Sequence, residues 1–335
     1  MMKVSDYILE LKGITKIFPG VKALDNVHFQ LKKGEIHALM GENGAGKSTF
    51  IKVITGVHIP EEGEIYLKGE KVTFKNPKDA QDRSIAAIYQ HGTTYPHLSV
   101  TENIFIGHEK MTKFKTVDWK RMHAEAKELL EHIGSDIDPH SSMENLTVAE
   151  QQVVEIAKAI STHAEIIIMD EPTAALSKRE CEGLYKIAEQ LRDEGKSIIF
   201  ISHRFEDMYR LASRVTVFRD AQYIGTWDVD GISNDVLISK MVGREIKDIY
   251  PKLQVERGKE VFRVEKLSKT GYYSDVTFGV HEGEILAVTG LVGAGRTEVF
   301  QGIMGIEKPD SGKIYLDGKR IKINHPEEAM KAGIG

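Results

Sequence analysis

Short, mostly apolar runs alternate along the first 200 residues with segments whose apolar positions recur every three or four residues. The runs have the length of strands and cover residues 36–40, 85–89, 166–169 and 198–201. Runs of this kind are typical of strands that are buried on both faces of a parallel sheet. The periodic segments predict helices at residues 49–55, 119–133, 148–160 and 178–192. Alternation of strands and helices predicts a largely parallel sheet with helices on both faces.

The helix predicted at 119–133 has the clearest boundaries. Asp118 is a candidate N-cap, and Gly134 is a candidate stop after the last turn. The apolar residues at helical spacing between them are Met122, Ala126, Leu129, Leu130 and Ile133.

The chain repeats itself at long range. Residues 34–86 reappear as residues 283–335 without a gap, and glycines and prolines keep their register, as in Gly46 with Gly295 and Pro77 with Pro326. A repeat of this length indicates a duplicated domain. We therefore expect a first domain at 1–250, a linker at 251–259 and the N-terminal part of an incomplete second domain at 260–335.

Composition narrows the class of protein. Of 335 residues, 41% are hydrophobic and 28% are charged, which is ordinary for a soluble globular protein and excludes disorder. The net charge of −5 argues against binding nucleic acid by bulk charge. One cysteine, Cys181, excludes an intrachain disulfide, and no apolar run approaches the ~18 residues of a membrane span. We expect a cytoplasmic protein whose membrane role, if any, comes through a partner.

A glycine-rich segment after the first apolar run predicts a phosphate site. Residues 41–48 fit the pattern G-x-x-x-x-G-K-[ST] between a predicted strand and a predicted helix. Backbone N–H groups in such a loop point at phosphate oxygens, Lys47 supplies a cation and Ser48 offers a hydroxyl to Mg²⁺. The predicted binding residues are Gly41, Glu42, Asn43, Gly44, Ala45, Gly46, Lys47, Ser48 and Thr49.

Polar residues that follow the later strands are candidates for metal binding and catalysis. Asp170 can hold Mg²⁺, and Glu171 can orient or deprotonate the attacking water. His203 can sense the γ-phosphate or be an ordinary surface histidine, and Gln90 can be a ligand or a turn residue. Phe18 can stack on adenine or pack on its own strand.

The order of these motifs resembles the nucleotide-binding domain of ABC transporters. The order is Phe18, 41–48, Gln90, the segment LTVAEQ at 146–151, DEPTAALS at 170–177 and His203. The resemblance implies an α/β P-loop NTPase fold with a mainly parallel sheet core, a β-subdomain and a helical subdomain, followed by a partial second copy. It also implies that Gln90 binds Mg²⁺ and water and couples to a membrane subunit, and that 146–151 completes a partner's ATP site.

The duplication narrows the resemblance to the fused ATPase subunits of ribose-, galactose- and xylose-type sugar importers. The second loop, 290–297, carries Arg296 at the lysine position, and segments 99–107 and 241–245 also resemble that group. The resemblance implies ATP-driven, Mg²⁺-dependent import of a monosaccharide through a transmembrane permease. A sugar-binding protein would act indirectly, and the ATPase would lie at the cytoplasmic face of the membrane.

Two departures from the general pattern predict unequal ATP sites. The signature reads LTVAEQ rather than LSGGQ, so that Val148 and Ala149 replace glycines, and Arg296 replaces lysine. Head-to-tail pairing of two domains would place both departures in one composite site, which we expect to bind nucleotide at most. Thr147 and Glu150 also form a capping-box pattern, so the segment can simply begin a helix.

Two other functions remain open at this stage. A soluble ABC ATPase of translation or repair is disfavoured by the short linker, the single cysteine and the negative net charge. A nucleotide-binding fragment with little turnover is compatible with an incomplete second domain.

Overall fold

The computed structural model describes residues 6–89, 94–243, 258–290 and 293–335. The chain divides into two compact units, one within Met1–Lys247 and the other within Asp248–Gly335. Most of the predicted linker, 251–257, lies outside the described residues. No helix in the described ranges combines the length and the apolar character that crossing a membrane requires.

The first unit contains ten strands and eight α-helices within its described residues. The strands are β1 Tyr7–Phe18, β2 Val21–Lys32, β3 Ile36–Met40, β4 Glu62–Leu67, β5 Glu70–Val72, β6 Ile85–Ile88, β7 Ile166–Asp170, β8 Ser197–Ile201, β9 Arg214–Arg219 and β10 Gln222–Asp228. The helices are α1 Lys47–Ile54, α2 Pro77–Asp82, α3 Val100–Phe105, α4 Trp119–His132, α5 Val148–Ser161, α6 Lys178–Asp193, α7 Phe205–Leu211 and α8 Asn234–Val242.

All ten strands form one sheet in the order β5-β4-β1-β2-β10-β9-β3-β8-β7-β6. Strands β9, β3, β8, β7 and β6 are parallel to one another. Strands β5, β4, β1 and β2 are antiparallel, and β10 pairs antiparallel with β9. The predicted parallel core is thus confirmed, and it continues into an antiparallel part.

The apolar runs predicted the parallel strands closely. Each of the four runs matches a strand to within one residue at either end, and α4, α5 and α6 begin where they were predicted. Helix α1 begins at Lys47, two residues earlier than its apolar pattern indicated. The Asp118 side chain accepts a hydrogen bond from the Arg121 N–H, as expected of the N-cap of α4.

Both faces of the parallel strands are buried. On β7, Ile167 and Met169 belong to one hydrophobic cluster, whereas Ile166 and Ile168 belong to the other. Helix α1 is fixed on the second of these faces through Phe50, whose ring packs edge-on against Phe29 and Phe218 at centroid distances of 5.1 Å. The loop before α1 is therefore anchored by a fully buried aromatic cluster.

The second unit has a four-stranded antiparallel sheet and two helices in its described part. They are β11 Glu260–Lys269, β12 Tyr273–His281, α9 Arg296–Ile303, β13 Ser311–Leu316, β14 Lys319–Ile321 and α10 Pro326–Lys331. The sheet order is β12-β11-β13-β14. These elements follow one another in the same order as β1, β2, α1, β4, β5 and α2 of the first unit. The segment that corresponds to β3 forms no strand. Ile285 in that segment is 98% exposed.

Candidate functional site

The glycine-rich loop between β3 and α1 adopts a conformation that requires glycine at fixed positions. A Cβ atom on Gly41 would lie 2.4 Å from the carbonyl oxygen of Phe218. Gly46 has φ 99°, and a Cβ atom there would lie 2.6 Å from the carbonyl oxygen of Ala23. The loop is thus packed tightly against its neighbours, and its last residue turns directly into the N-terminus of α1. A helix N-terminus with unpaired N–H groups favours an anion.

Lys47 is the first residue of α1 and is buried. Its ammonium group donates hydrogen bonds to the carbonyl oxygens of Gly41, at 2.6 Å, and Glu42, at 3.1 Å. Burial lowers the pKa of Lys47, and the carboxylates of Glu171 and Asp170 oppose that shift. A phosphate oxygen is a stronger partner for an ammonium group than a neutral carbonyl, so the contacts within the loop can be exchanged for contacts to phosphate.

Asp170 and Glu171 lie at the carboxyl end of β7, beside the glycine-rich loop. Asp170 is the last residue of the strand, and it pairs with Ile201 of β8. Glu171 has φ 51°, which is unusual for a residue with a side chain, and its N–H donates to the Ile201 carbonyl at 2.9 Å. Such backbone conformations persist where the surrounding structure enforces them, often at active sites.

His203 follows β8 and faces Glu171. Its Nδ1 atom lies 3.3 Å from Glu171 Oε2, and the imidazole is 59% exposed. The adjacent parallel strands β7 and β8 thus bring the two predicted catalytic side chains together at one edge of the sheet, where ligands bind in folds of this type.

One cavity of about 1040 Å³ brings most of the predicted site residues together. Its lining comprises Val21, Lys22, Ala23, Gly41, Glu42, Asn43, Gly44, Ala45, Gly46, Lys47, Ser48, Thr49, Asp170, Glu171, His203 and Met241. Val21, Lys22, Ala23 and Met241 were not predicted from the sequence, because they belong to no phosphate-binding pattern. The volume suits a ligand the size of a nucleotide.

Phe18 and Gln90 are the remaining predicted site residues. Phe18 does not line this cavity, and packs edge-on against the ring of His58 at 5.1 Å. Stacking of Phe18 on adenine stays a prediction. Gln90 lies outside the described residues.

The residues present fit a magnesium ion that takes some of its ligands from the protein and the others from phosphate. The Ser48 hydroxyl and the Asp170 carboxylate line the same cavity. The described ranges contain no group of three or more His, Cys, Asp or Glu side chains that could hold a metal on their own. Mg²⁺ takes few protein ligands in nucleotide sites and completes its shell with phosphate oxygens and water.

A buried aspartate that the sequence analysis missed ties together the two loops that carry Glu171 and His203. Asp207 on α7 is 0% exposed. Its Oδ2 atom accepts hydrogen bonds from the hydroxyls of Thr173, at 2.5 Å, and Ser202, at 2.7 Å. Thr173 lies two residues after Glu171, and Ser202 directly precedes His203. Asp207 therefore fixes the spacing of the two candidate catalytic loops.

The other carboxylate oxygen of Asp207 is also occupied. Oδ1 accepts a hydrogen bond from the Tyr185 hydroxyl of α6, and the Arg204 Nε atom lies 3.8 Å away. Burial and the Asp207 carboxylate raise the pKa of Tyr185, so the phenol remains a neutral donor. Three hydroxyl donors and one guanidinium compensate the buried charge, as such a group requires.

Replacing Asp207 with alanine should destabilise the protein strongly. The change leaves three buried hydroxyls without their acceptor and leaves Arg204 with Glu206 as its remaining carboxylate partner, which costs about 3–5 kcal/mol of unfolding free energy. Urea denaturation measures the loss. The exposed Asp193, whose carboxylate pairs with Arg192, is a matched control, and Asp193→Ala should change stability by less than about 0.5 kcal/mol. Equal effects of the two substitutions would contradict this account of the Asp207 network.

The segment 146–151 forms the capping box that the sequence predicted. The Thr147 hydroxyl accepts a hydrogen bond from the Glu150 N–H at 3.3 Å, and the Glu150 carboxylate accepts one from the Thr147 N–H at 2.8 Å. Val148, the first residue of α5, is 57% exposed. The segment thus begins a helix and leaves an apolar side chain at the surface. Contact with a partner's nucleotide stays a prediction.

In the second unit, Arg296 opens α9 as Lys47 opens α1. Gly295 before it has φ 77°, and its added Cβ atom would lie 2.6 Å from the Tyr272 carbonyl oxygen. The turn into the helix is therefore of the same kind, although a guanidinium replaces the ammonium group. A guanidinium is wider and is a forked donor, so it cannot occupy the position of a lysine among phosphates in the same way.

Comparison with known proteins gives a family match and close relatives. A family model described as ABC transporter matches residues 24–174 and 273–335. The chain is 45% identical over 327 residues to a ribose import ATP-binding protein, RbsA 3, of Rhizobium etli. The aligned region covers 98% of this chain and 64% of that protein. It is 46% identical over 340 residues to the xylose import ATP-binding protein XylG of Geobacillus kaustophilus, which covers 99% of this chain and 67% of that protein.

Solved structures share the fold. The ADP conformation of MJ1267, an ATP-binding cassette of an ABC transporter, superposes with a TM-score of 0.64 at 26% identity, over 72% of this chain and 99% of that one. The chain spans about two thirds of the length of the two curated relatives. The cassette fold that the resemblance implied is confirmed.

Proposed function

The chain belongs to the ABC transporter family, and on that premise we propose that it is an ATP-binding subunit that powers import of a monosaccharide. The observation that carries the proposal is the single cavity lined by the glycine-rich loop, Lys47, Asp170, Glu171 and His203. It supplies a cradle for phosphates, a cation, and two carboxylates beside them. These are the parts that hydrolysis of a nucleoside triphosphate requires.

Each residue has a distinct role in the proposed reaction. Backbone N–H groups of the loop and Lys47 bind the β- and γ-phosphates. The Ser48 hydroxyl and Asp170 would hold Mg²⁺, which would neutralise charge on the phosphate oxygens. Glu171 orients the attacking water and accepts its proton, and His203, 3.3 Å from Glu171, contacts the γ-phosphate side of the site. Gln90 is proposed to bind both Mg²⁺ and the water.

The names of the relatives support the transport role. Both curated relatives are named for import of a pentose, ribose in one and xylose in the other. We therefore assign this chain to the cytoplasmic face of the membrane, where it would bind transmembrane permease subunits and depend indirectly on a sugar-binding protein. Its nucleotide-binding domains would pair head to tail, so that each ATP site combines one domain's phosphate loop with the other's signature.

Pairing makes the two proposed ATP sites unequal. The site built on Lys47, Asp170 and Glu171 has the cation, the metal ligand and the general base that the proposed reaction needs. The other site would combine Arg296 with a signature in which Val148 is exposed at the helix start. A side chain at that position prevents the close backbone approach that a glycine allows. The first site is therefore assigned hydrolysis, and the second binding at most.

The chain of 335 residues should bind Mg-ATP but hydrolyse it slowly, because its sequence contains no LSGGQ segment that a second domain could supply to the Lys47 site in the proposed head-to-tail pairing. We expect turnover at least about 10²-fold below that of a version extended to the length of its relatives. Phosphate release by the two proteins measures the difference. Equal and rapid turnover by both would contradict the composite-site model.

Co-purification tests the partner. A tagged, extended protein should be recovered from detergent-solubilised membranes together with a permease, and ATP-dependent sugar uptake should require it. Recovery with ribosomes, and no permease, would instead assign the chain to soluble ABC ATPases. Nucleotide binding without turnover in the extended protein would assign it a regulatory role.

A further inference from the structure

An ordered hairpin at residues 111–117 carries a phenylalanine that is almost fully exposed. Met111 and Val117 form an antiparallel bridge, and the Thr112 N–H donates to the Thr116 carbonyl at 2.8 Å. The Thr112 hydroxyl accepts a hydrogen bond from the Phe114 N–H at 3.2 Å. Phe114 at the tip is nevertheless 89% exposed. Its exposure is thus built into a hydrogen-bonded turn.

Other apolar side chains extend this surface. Met111 at the base of the hairpin is 54% exposed, and Trp119 at the start of α4 is 46% exposed. An exposed apolar patch of this kind usually marks an interaction site. None of these residues lines the cavity that contains the glycine-rich loop.

Positive charge surrounds the exposed apolar residues. Residues 109–121 contain five basic and two acidic side chains, although the whole chain has a net charge of −5. Lys113, Lys115 and Lys120 are exposed and form no ion pair within the part of the chain that the structure describes. Asp118, the acidic residue nearest to Lys120 in the sequence, serves as the N-cap of α4. The surface therefore has uncompensated positive charge beside its aromatic tip.

We propose that the hairpin 111–117, with Trp119 and Lys120, docks on the surface of an anionic phospholipid bilayer. Lysine is depleted in protein–protein interfaces, which disfavours a protein partner for a surface with three unpaired lysines. Lysine combined with an exposed aromatic ring suits a membrane surface instead. The ammonium groups bind lipid phosphates, and the ring enters the boundary of the acyl chains.

The proposed contact is weak and reversible. Three lysines and one aromatic ring give an association constant on the order of 10³–10⁴ M⁻¹ for accessible lipid, similar to that of a single acyl chain. Such a contact would not hold the protein at a membrane alone. It would orient a subunit that another partner has brought there, and it does not depend on ATP hydrolysis.

Co-sedimentation of the purified 335-residue chain with vesicles tests the proposal. Phosphatidylcholine vesicles with and without about 30% phosphatidylglycerol are compared at low and high salt. We expect at least fivefold more binding to the anionic vesicles, lost at high salt because the lysines are then screened. Phe114→Ala should reduce binding about fivefold, the Lys113→Glu, Lys115→Glu double variant should reduce it at least tenfold, and Phe114→Trp should retain it.

A double charge reversal elsewhere on the surface is the matched control. Lys33→Glu with Lys75→Glu changes the net charge equally, and both side chains are exposed and, like Lys113 and Lys115, form no ion pair within the described residues. This control should bind vesicles as the unchanged chain does, and all variants should keep its thermal midpoint. Absent binding to anionic vesicles, or equal loss in the control, would overturn the proposal. The proposal would also be overturned if Phe114 were required for binding to a permease but not for binding to vesicles, because the hairpin would then be a protein interface.

Discussion

Replacing Lys47 with alanine should abolish ATP turnover in a version of the protein extended to the length of its relatives. The substitution removes the buried ammonium group that lies against the start of the phosphate loop, 2.6 Å from the Gly41 carbonyl oxygen. Among the described residues of the glycine-rich loop that line the cavity, Lys47 is the only one with a positively charged side chain. Loss of a charged group that stabilises transferring phosphate lowers turnover by about 10²–10³-fold or more.

Two substitutions serve as controls for Lys47→Ala. Arg296→Ala in the second loop should leave most of the turnover, because the Arg296 site is assigned binding at most. Lys52→Ala alters an exposed lysine at the other end of α1 and should leave turnover unchanged within about twofold. Phosphate release measures all three. Equal losses from Lys47→Ala and Arg296→Ala would contradict the assignment of hydrolysis to one site.

Replacing Glu171 with glutamine should block hydrolysis while ATP still binds. Glutamine keeps the length of the side chain but cannot accept the proton of the attacking water, so we expect turnover to fall by about 10²–10⁴-fold. The phosphate loop and Lys47 are untouched, so the affinity for Mg-ATP should change by less than about threefold. Because Glu171 already lies in the left-handed region, glutamine faces the same backbone cost, and the fold should persist.

Glu206→Gln is the control for Glu171→Gln. Glu206 lies on α7 near the same loops, is 77% exposed and contacts only Arg204 among the ion pairs of the described residues. It should turn over as the unchanged protein does. Turnover by Glu171→Gln at more than a tenth of the normal rate would show that another group activates the water.

The parallel half of the sheet could be predicted from the sequence, because its strands are buried on both faces. Runs such as 166–169 contain no polar residue, and burial of both faces requires that pattern. The antiparallel strands gave no such signal. In β1 the register shifts between Leu11 and Ile14, so its buried residues depart from strict alternation. Irregular pairing of this kind depends on the partner strand and is not visible in one segment.

The candidate site shows the same division. The glycine-rich loop, Asp170, Glu171 and His203 could be identified because a local pattern or a strand end marks each of them. Asp207 could not, since it lies within a helix that has no motif. Its role arises from contacts with Ser202 in the preceding loop and with Thr173, 34 residues earlier in the chain. An aspartate at a buried position of a helix would have indicated this role. Only the packing of α7 shows that the position is buried.

The most direct test of the central claim is calorimetric titration of the 335-residue chain with ATP. The account predicts saturable binding in the presence of Mg²⁺, weaker binding when the metal is chelated, and at least about a tenfold loss of affinity for Lys47→Ala with none for Lys52→Ala. No heat of binding with Mg-ATP, or equal affinity for the unchanged chain and Lys47→Ala, would contradict the claim that this loop and its lysine hold a nucleoside triphosphate.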